Sequence, residues 1–309
     1  MRTLVGLEAL QPPPEGTAVA LGTFDGVHVG HRALMSRAMQ DATERGLSSA
    51  VLTWDRHPVA TLRPGSEPPL LTSLERKLEL IGSLGIDVVA VLAFDIELSR
   101  WSPERFATEV LARGLGARSA WVGAGWRFGH RAAGDVATLE SLGARLGFRA
   151  HGMGLAELAG APVSSSRARA AVASGDLALA RALLGRPFDL EGTVVHGDHR
   201  GRSLGYPTAN LAVDERLVAP PRGVYAGEAF VGGHGYKAAI NLGVNPTFGG
   251  DESERPRVEV YLLDFDDDIY GRVLRVSFHR RLRDERRFSS VAELVEQMAQ
   301  DVRETRAPT

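Results

Sequence analysis

The sequence predicts an α/β protein built in two parts, a parallel sheet with covering helices over residues 1–186 and an antiparallel β-barrel with a C-terminal helix over residues 187–309. Three observations carry this reading. Strand-like and helix-like segments alternate through the first half, as they do in a parallel sheet with right-handed crossovers. After the helix stop Gly185-Arg186-Pro187 the period changes to 2, in short segments broken by glycine and proline. Residues 290–303 then return to helical spacing.

The elements follow in order. Residues 17–24 (TAVALGTF) form a short apolar run ending at aspartate and glycine, which suits a buried parallel strand. Residues 31–44 set Leu34, Met35, Ala38 and Ala42 at helical spacing, and Gly46 supplies the stop. Residues 50–54 read as a second strand and 73–84 as a helix with Thr72 and Glu75 as its capping box. Residues 87–94 (DVVAVLAF) are a third strand, 103–113 a helix, 119–123 a fourth strand and 176–184 a further helix. In the second part, residues 257–263 place Val258, Val260 and Leu262 on one face and Arg257, Glu259 and Tyr261 on the other. Residues 272–279 alternate in the same way. The last helix opens with a second capping box, Ser290 and Glu293, and aligns Leu294, Val295, Met298 and Val302.

Composition removes several function classes. With 44% apolar and 24% charged residues, disorder and fibrous repeats are excluded. The 36 basic and 38 acidic residues nearly cancel, which excludes a globally basic nucleic-acid binder. Cysteine is absent, so thiolate metal sites, iron–sulfur clusters and cysteine nucleophiles are excluded. All but two of the basic residues are arginines, and neither Lys77 nor Lys237 follows a phosphate loop. Lysine-based ATP sites are therefore excluded, leaving glycine backbone, histidine, arginine and metal to hold phosphate. No apolar run reaches 18 residues, and residues 1–16 lack the apolar centre of a signal peptide. The expectation is a cytoplasmic monomer or weak homo-oligomer with no nucleic-acid or membrane partner.

Two constellations carry chemistry. Residues 22–31 read GTFDGVHVGH between a strand and a helix. Gly22, Gly26 and Gly30 let backbone approach a ligand, the helix start offers N–H groups, and His28 and His31 can share a face there. On the residues alone three readings stand: a polyphosphate site, a metal site of Asp25, His28 and His31, or histidines that only cap a helix. The strand–glycine–helix context favours phosphate. Ser164, Ser165 and Ser166 add hydroxyls, and Arg167 and Arg169 add forked cations suited to phosphate oxygens. In the second constellation, residues 192–211 (GTVVHGDHRGRSLGYPTANL), Gly201 and Gly205 shape loops and Pro207 fixes a turn presenting Thr208 and Asn210. That turn is either a stiff Asx-type turn or a pair of hard oxygen ligands for Mg²⁺ held with nucleotide phosphates. Glu259, on the polar face of its strand, is either a solvated glutamate or a general base. The run Asp264 to Asp268 reads as a hairpin loop rather than a metal site.

GTFDGVHVGH resembles the nucleotidyltransferase motif of the prokaryotic bifunctional riboflavin kinase/FMN adenylyltransferase family, and the resemblance runs over nearly the whole chain. LTWDRHP (52–58), LTSLERKLELI (71–81), VGAGWRFGHRAAGD (122–135) and VSSSRARAAVASGDLALARALLGRPF (163–188) follow in family order, residues 192–211 resemble its flavokinase signature, and the motif NLGVNPT (241–247) resembles a flavokinase loop. The resemblance implies a Rossmann-like nucleotidyltransferase domain and a riboflavin kinase barrel. It implies ATP phosphorylation of riboflavin to FMN, then adenylylation of FMN to FAD with release of pyrophosphate. It implies that His28, His31 and Arg169 act in adenylyl transfer, with Gly22, Phe24, Asp25, Gly26, Gly30, the three serines and Arg167 around the nucleotide. It places Trp54, His57, Trp126, Phe128 and Arg283 on the flavin side. In the barrel it implies Mg-ATP on Gly201, Gly205, Pro207, Thr208 and Asn210, and Glu259 as the catalytic base. Three positions depart from the family pattern: Trp54 stands where Phe is usual, Gly125 where Asn or Asp is usual, and Trp126 where Phe or Tyr is usual. Gly125 motivates the alternative of a riboflavin kinase with a weakened or regulatory N-terminal domain. A nucleotide- or RNA-binding regulator is the other rival, and the near-neutral charge weighs against RNA.

Overall fold

A computed structural model describes residues 1–197, 204–243 and 257–307. Gly201 and the segment 244–247 of the NLGVNPT motif lie outside the described residues. The chain divides into two compact units, Met1–Ser165 and Ser166–Thr309.

In the first unit, β1 (Arg2–Val5), β2 (Thr17–Leu21), β3 (Ser48–Trp54), β4 (Val88–Leu92), β5 (Ala117–Gly123) and β6 (Arg149–Met153) form one sheet in the order β1-β4-β3-β2-β5-β6, every neighbour parallel. The helices are α1 (Val29–Arg45), α2 (Pro58–Leu62), α3 (Leu74–Gly82), α4 (Ile96–Ser99), α5 (Pro103–Phe106) and α6 (Val136–Leu146). Strands buried along their length put alternate residues into two cores. Leu21, Leu52 and Ala90 pack with Phe106, Val110 and Leu142 on one face, while Ala20, Val51 and Val89 pack with Leu34, Met35 and Ile81 on the other. The chain runs outward from β2 to β3 to β4, then returns to lay β5 on the far side of β2. In such sheets the crevice beyond the carboxyl ends at that reversal is the ligand site. The segments that leave β2 and β5 are GTFDGVHVGH and the Gly125-Trp126 loop.

After the two-residue strands β7 (Glu157–Leu158) and β8 (Ala161–Pro162) comes α7 (Ser165–Ser174). The second unit continues with α8 (Leu177–Leu184), capped by Asp176 and ended by a left-handed Gly185. Strands β9 (Phe188–Val195), β10 (Ala209–Val213), β11 (Gly223–Val231), β12 (His234–Gly243), β13 (Arg257–Leu262) and β14 (Val273–Arg283) close a barrel in the order β10-β13-β12-β11-β14-β9, all antiparallel. Helix α9 (Val291–Arg306) packs on β11 and β12. The compact units part some twenty residues before the change of period at 186, and the packing of α8 on β9 and β14 accounts for the difference.

Several elements differ from expectation. The outer strands β1 and β6 carry little apolar signal: β1 is mostly exposed, and RAHGM in β6 is only half-buried. The first strand stops at Leu21, and Phe24 takes a left-handed conformation instead of extending it. Helix α3 is capped by Ser73, which accepts from Arg76 N, because the Thr72 hydroxyl is already accepting from Gly26 N. Helix α5 widens into a π-helical stretch over Ala107–Gly114. In the last capping box Ser290 accepts from Glu293 N as expected, but the Glu293 carboxylate takes the N–H and hydroxyl of Ser289.

Candidate functional site

The turn leaving β2 is held in a conformation that few sequences adopt. Phe24, Gly26 and Val27 all have positive φ, at 53°, 79° and 40°. Such backbone persists only where the surroundings over-determine it. Gly22 is required by close approach, since a Cβ there would lie 2.8 Å from the Phe24 ring. The buried Asp25 carboxylate accepts from Leu71 N at 2.9 Å and Thr72 N at 3.2 Å, and Gly26 N donates to the Thr72 hydroxyl. Ser165 Oγ donates to the Asp25 carbonyl at 2.9 Å. Asp25 therefore fastens the turn to the segment before α3, which leaves the three-residue metal reading without its carboxylate. Among the described residues no cluster of three or more His, Asp or Glu side chains suits a metal ion.

The two histidines sit together at the N-terminus of α1. Their rings stack at 3.4 Å and 17°, and Phe24 packs edge-on against His31. His28 Nδ1 accepts from His31 N at 3.2 Å, so His28 caps the helix. That bond leaves Nε2 carrying the proton in the neutral ring. The capping reading is met by Nδ1, which leaves Nε2–H as the nitrogen able to donate to a ligand. His31 Nδ1 is enclosed and has no hydrogen-bond partner among the described residues. Burial pushes His28 down to about 4; His31 falls well below its ordinary value, mainly through burial, then through His28 and Lys77. Both rings are neutral donors at physiological pH, not cations.

This depression has a consequence for stability. A histidine whose folded pKa lies below its unfolded value of about 6.5 contributes stability that is complete above that value and is lost as pH falls towards the folded pKa. Between pH ~6.5 and ~4 the first unit is expected to lose about 3 kcal/mol through His28, and thermal melts across that window will read it. His28→Asn keeps a capping acceptor without the titration, so its melts should fall less steeply over the same window; an equal slope in the two proteins would refute the assignment.

Aromatic rings gather beyond the ends of β3 and β5. Trp54 is 8% exposed, enclosed by Phe94 at 5.3 Å and Phe106 at 6.1 Å. Trp126 is half-buried and stacks on Phe128 at 4.6 Å. Trp126 is thus the more exposed of the two tryptophans, and both pack against Phe106. His57 caps α2 by accepting from Val59 N. Ser164 and Ser165 belong to the first unit, whereas Ser166, Arg167 and Arg169 lie on α7 in the second, with Arg169 donating to the Ser166 hydroxyl at 3.3 Å.

In the barrel one rung collects the polar residues. Asn210 is opposite Glu259, Glu259 opposite Asn241, Asn241 opposite Val224, and Val224 opposite Arg283. Their neighbours Leu211, Val258, Val260 and Leu242 are buried inside the barrel, so the rung faces outward. Directly opposed residues have Cβ atoms roughly 5 Å apart, which brings the Glu259 carboxylate between two amides. Thr208, just before β10, borders the same cleft as Asn241 and Glu259. A cleft of about 250 Å³ opens over this face, between Thr208, Asn241, Glu259 and Tyr261 of the barrel and Leu294 and Met298 of α9. Leu294, Met298 and Val302 of the aligned stripe of α9 thus line the cleft. Arg283 closes one side, doubly bonded to Asp301 of α9 at 2.9 and 2.8 Å. A second cleft, about 280 Å³, lies between Pro207 and Thr208 and the loop Asp266 to Tyr270. Thr208 borders both. Gly205 has φ +83°, which serves the turn, and among the described residues no atom lies within 4 Å of a Cβ built there.

The comparisons match this geometry. The FAD synthetase family model matches residues 10–167, and the riboflavin kinase model matches residues 184–309. A bifunctional riboflavin kinase/FMN adenylyltransferase of Bacillus subtilis is 38% identical over 290 residues, 93% of this chain and 91% of that protein. The protein of the same description from Pseudomonas fluorescens is 38% identical over 307 residues, 99% of this chain and 97% of that one. The chain belongs to the bifunctional riboflavin kinase/FMN adenylyltransferase family. Its two parts are transferases, and the bifunctional reading is supported over the kinase-only alternative. A solved chain described as a macrolide-efflux protein from Streptococcus pneumoniae has the same architecture, with TM-score 0.88 and 29% identity over 100% of both chains. Among the described residues of this family member, no helix is long and apolar enough to cross a membrane.

Lys77 is the residue that sequence reasoning passed over. It follows no phosphate loop along the chain, yet α3 carries it to the carboxyl ends of β2 and β3. Asn241 was visible only as part of a loop motif, and the barrel's register is what sets it beside Glu259.

Proposed function

We propose that the barrel makes FMN from riboflavin and ATP, and that the N-terminal unit makes FAD from FMN and a second ATP, with functional domains 1–186 and 187–309. The observation that supports the kinase half best is the Asn210–Glu259–Asn241 rung beside a threonine shared by two clefts. The flavin is assigned to the cleft under α9 and the nucleotide to the cleft under Asp266 to Tyr270. Glu259 accepts the proton of the ribityl 5′-hydroxyl. That oxygen bonds to the γ-phosphorus of ATP as the bond to the β–γ bridging oxygen breaks, and ADP leaves with the electron pair.

The Thr208 hydroxyl and Asn210 amide oxygen are hard donors that fit Mg²⁺, and two such ligands suit an ion that takes the rest of its shell from phosphates and water. When bound, the ion neutralises triphosphate charge, which the neighbouring carboxylates Asp266, Asp267 and Asp268 would otherwise repel. In the first unit a phosphate oxygen of FMN attacks the α-phosphorus of ATP and pyrophosphate leaves. The nucleophile is already ionised near neutral pH, so the chain's task is positioning and charge stabilisation. His28 Nε2–H and the amides of the turn donate to phosphate oxygens, with Arg167 and Arg169 assigned to the same task by their motif. Trp126 stacks the isoalloxazine ring, and the protein works in the cytoplasm without nucleic-acid or membrane partners.

Riboflavin, ATP and Mg²⁺ incubated with the full chain should give FMN first and FAD second when the flavins are resolved by chromatography. FMN accumulating without FAD would sink the bifunctional reading. Gly125 is exposed, its φ is ordinary, and a Cβ there meets nothing within 4 Å. Gly125→Asn should therefore fold unchanged and raise FAD formation about fivefold, the worth of one added hydrogen bond of ~1 kcal/mol. An unchanged rate would mean that this position makes no polar contact with the nucleotide.

A further inference from the structure

Lys77 is 7% exposed, one of the few charged side chains in the interior. Its ammonium donates to the Trp54 carbonyl at 2.8 Å and to the Thr23 carbonyl at 3.3 Å. Among the described residues it makes no ion pair within 4 Å: Asp25 is taken by the amides of Leu71 and Thr72, and Asp55 by Phe94 N and Arg56. A buried cation without an ion pair carries a desolvation cost that the two carbonyls and the more distant Asp25 and Asp55 offset only in part. Stability alone does not account for a lysine at this position. Its two acceptors do. Thr23 is the last residue before the left-handed Phe24, at the mouth of the phosphate turn, and Trp54 ends β3 beneath the aromatic patch. The Thr53 hydroxyl reinforces the same joint by donating to the Thr23 carbonyl at 3.0 Å.

We propose that Lys77 is a positioning residue for adenylyl transfer: by bridging the Thr23 and Trp54 carbonyls it fixes the distance between the segment that binds the triphosphate and the segment that supports the flavin. The inference rests on the assignment of FMN adenylylation to the first unit. In-line attack by one substrate's phosphate on the other's requires that the two binding segments hold one separation, and a displacement of about 1 Å can cost 10²-fold. The groups facing the ammonium are Asp25 in the turn and Asp55 after β3, with His31 of α1 also sensing its charge. Burial pushes Lys77 down to about 8 against the pull of the two carboxylates. Deprotonation leaves a weaker donor to both carbonyls, so the bridge loosens as pH rises through that value.

The test uses the full chain carrying Lys77→Met, with riboflavin phosphorylation and FMN adenylylation assayed separately. FAD formation is expected to fall about 100-fold in kcat, with KM for ATP and FMN within about threefold and riboflavin phosphorylation unchanged. Lys77→Arg, which keeps a permanent cation, should recover activity to within about tenfold. The wild-type rate should decline above pH ~8, and the Lys77→Met profile should lack that limb. A kcat within about threefold of wild type, or equal loss in both half-reactions, overturns the proposal. If Lys77→Met does not fold, Lys77→Gln is read by the same criteria; if neither folds, the lysine is a stability element and the proposal is overturned. Wild-type protein that makes no FAD from supplied FMN defeats the adenylylation reading itself, whereas wild-type activity matched by the variant defeats the lysine's role alone.

Discussion

His28→Ala is expected to reduce FAD formation from FMN and ATP by roughly 10²–10³-fold while leaving riboflavin phosphorylation at the wild-type rate. The size follows from what the ring does. Its Nδ1 is occupied by His31 N, so its Nε2–H is a fixed neutral donor at the start of α1, where backbone N–H groups and the helix dipole already favour negative charge. A preorganised donor of this kind acts where water is excluded, and its loss is felt chiefly as charge builds up in the transition state. The substitution also removes a helix cap, at a cost of about 1 kcal/mol. His28→Asn separates the two effects, since asparagine caps well but does not reach as far. It should melt close to wild type and still lose most FAD formation. Because the ring is neutral down to about pH 4, the wild-type rate should show no limb from His28 between pH ~5.5 and 7.5. A drop in both half-reactions, or a variant that makes FAD at full rate, would show that the turn is not the adenylylation site.

Much of this was readable from sequence for a physical reason. Strands buried on both faces, such as Val88–Leu92, are continuous apolar runs, and the glycines around His28 mark backbone that must come close to something. The period-2 segments of the barrel identified which face Glu259 would take before any register was known. What stayed hidden depends on contacts between distant segments. Thr72 was expected to cap α3, but the turn 46 residues earlier claims its hydroxyl, and local capping rules carry no information about that competitor. The sequence does not rank Trp54 and Trp126 by exposure: Phe94 and Phe106, distant along the chain, enclose Trp54, while Trp126 stays half-buried. Lys77 follows no phosphate loop along the chain; only the crossover from β3 through α3 brings its ammonium to Thr23. The rung joining Asn210, Glu259 and Asn241 needs register across three strands, which alternation alone leaves undetermined.

That rung sets the second large effect. Glu259→Gln should lower riboflavin phosphorylation by roughly 10²–10⁴-fold, the usual contribution of a positioned general base, while FAD formation from supplied FMN is untouched. Glutamine preserves the volume and the hydrogen-bonding reach of the side chain, so the cleft beneath α9 should still take riboflavin. Flavin fluorescence quenching by the variant should accordingly match wild type within about threefold in Kd. Asn210→Ala, one rung position away, is expected to act differently, raising KM for ATP more than it lowers kcat, because the proposed role gives its amide to the nucleotide and its ion rather than to the hydroxyl proton. The contrast decides the roles. Were Glu259 only a solvated strand glutamate, Glu259→Gln would leave both half-reactions near wild type. Were it a metal ligand, Glu259→Gln and Asn210→Ala would share one phenotype, relieved in both by raising the Mg²⁺ concentration. A loss in kcat that added Mg²⁺ does not relieve, confined to the kinase half-reaction, is the signature of a base acting on the ribityl hydroxyl.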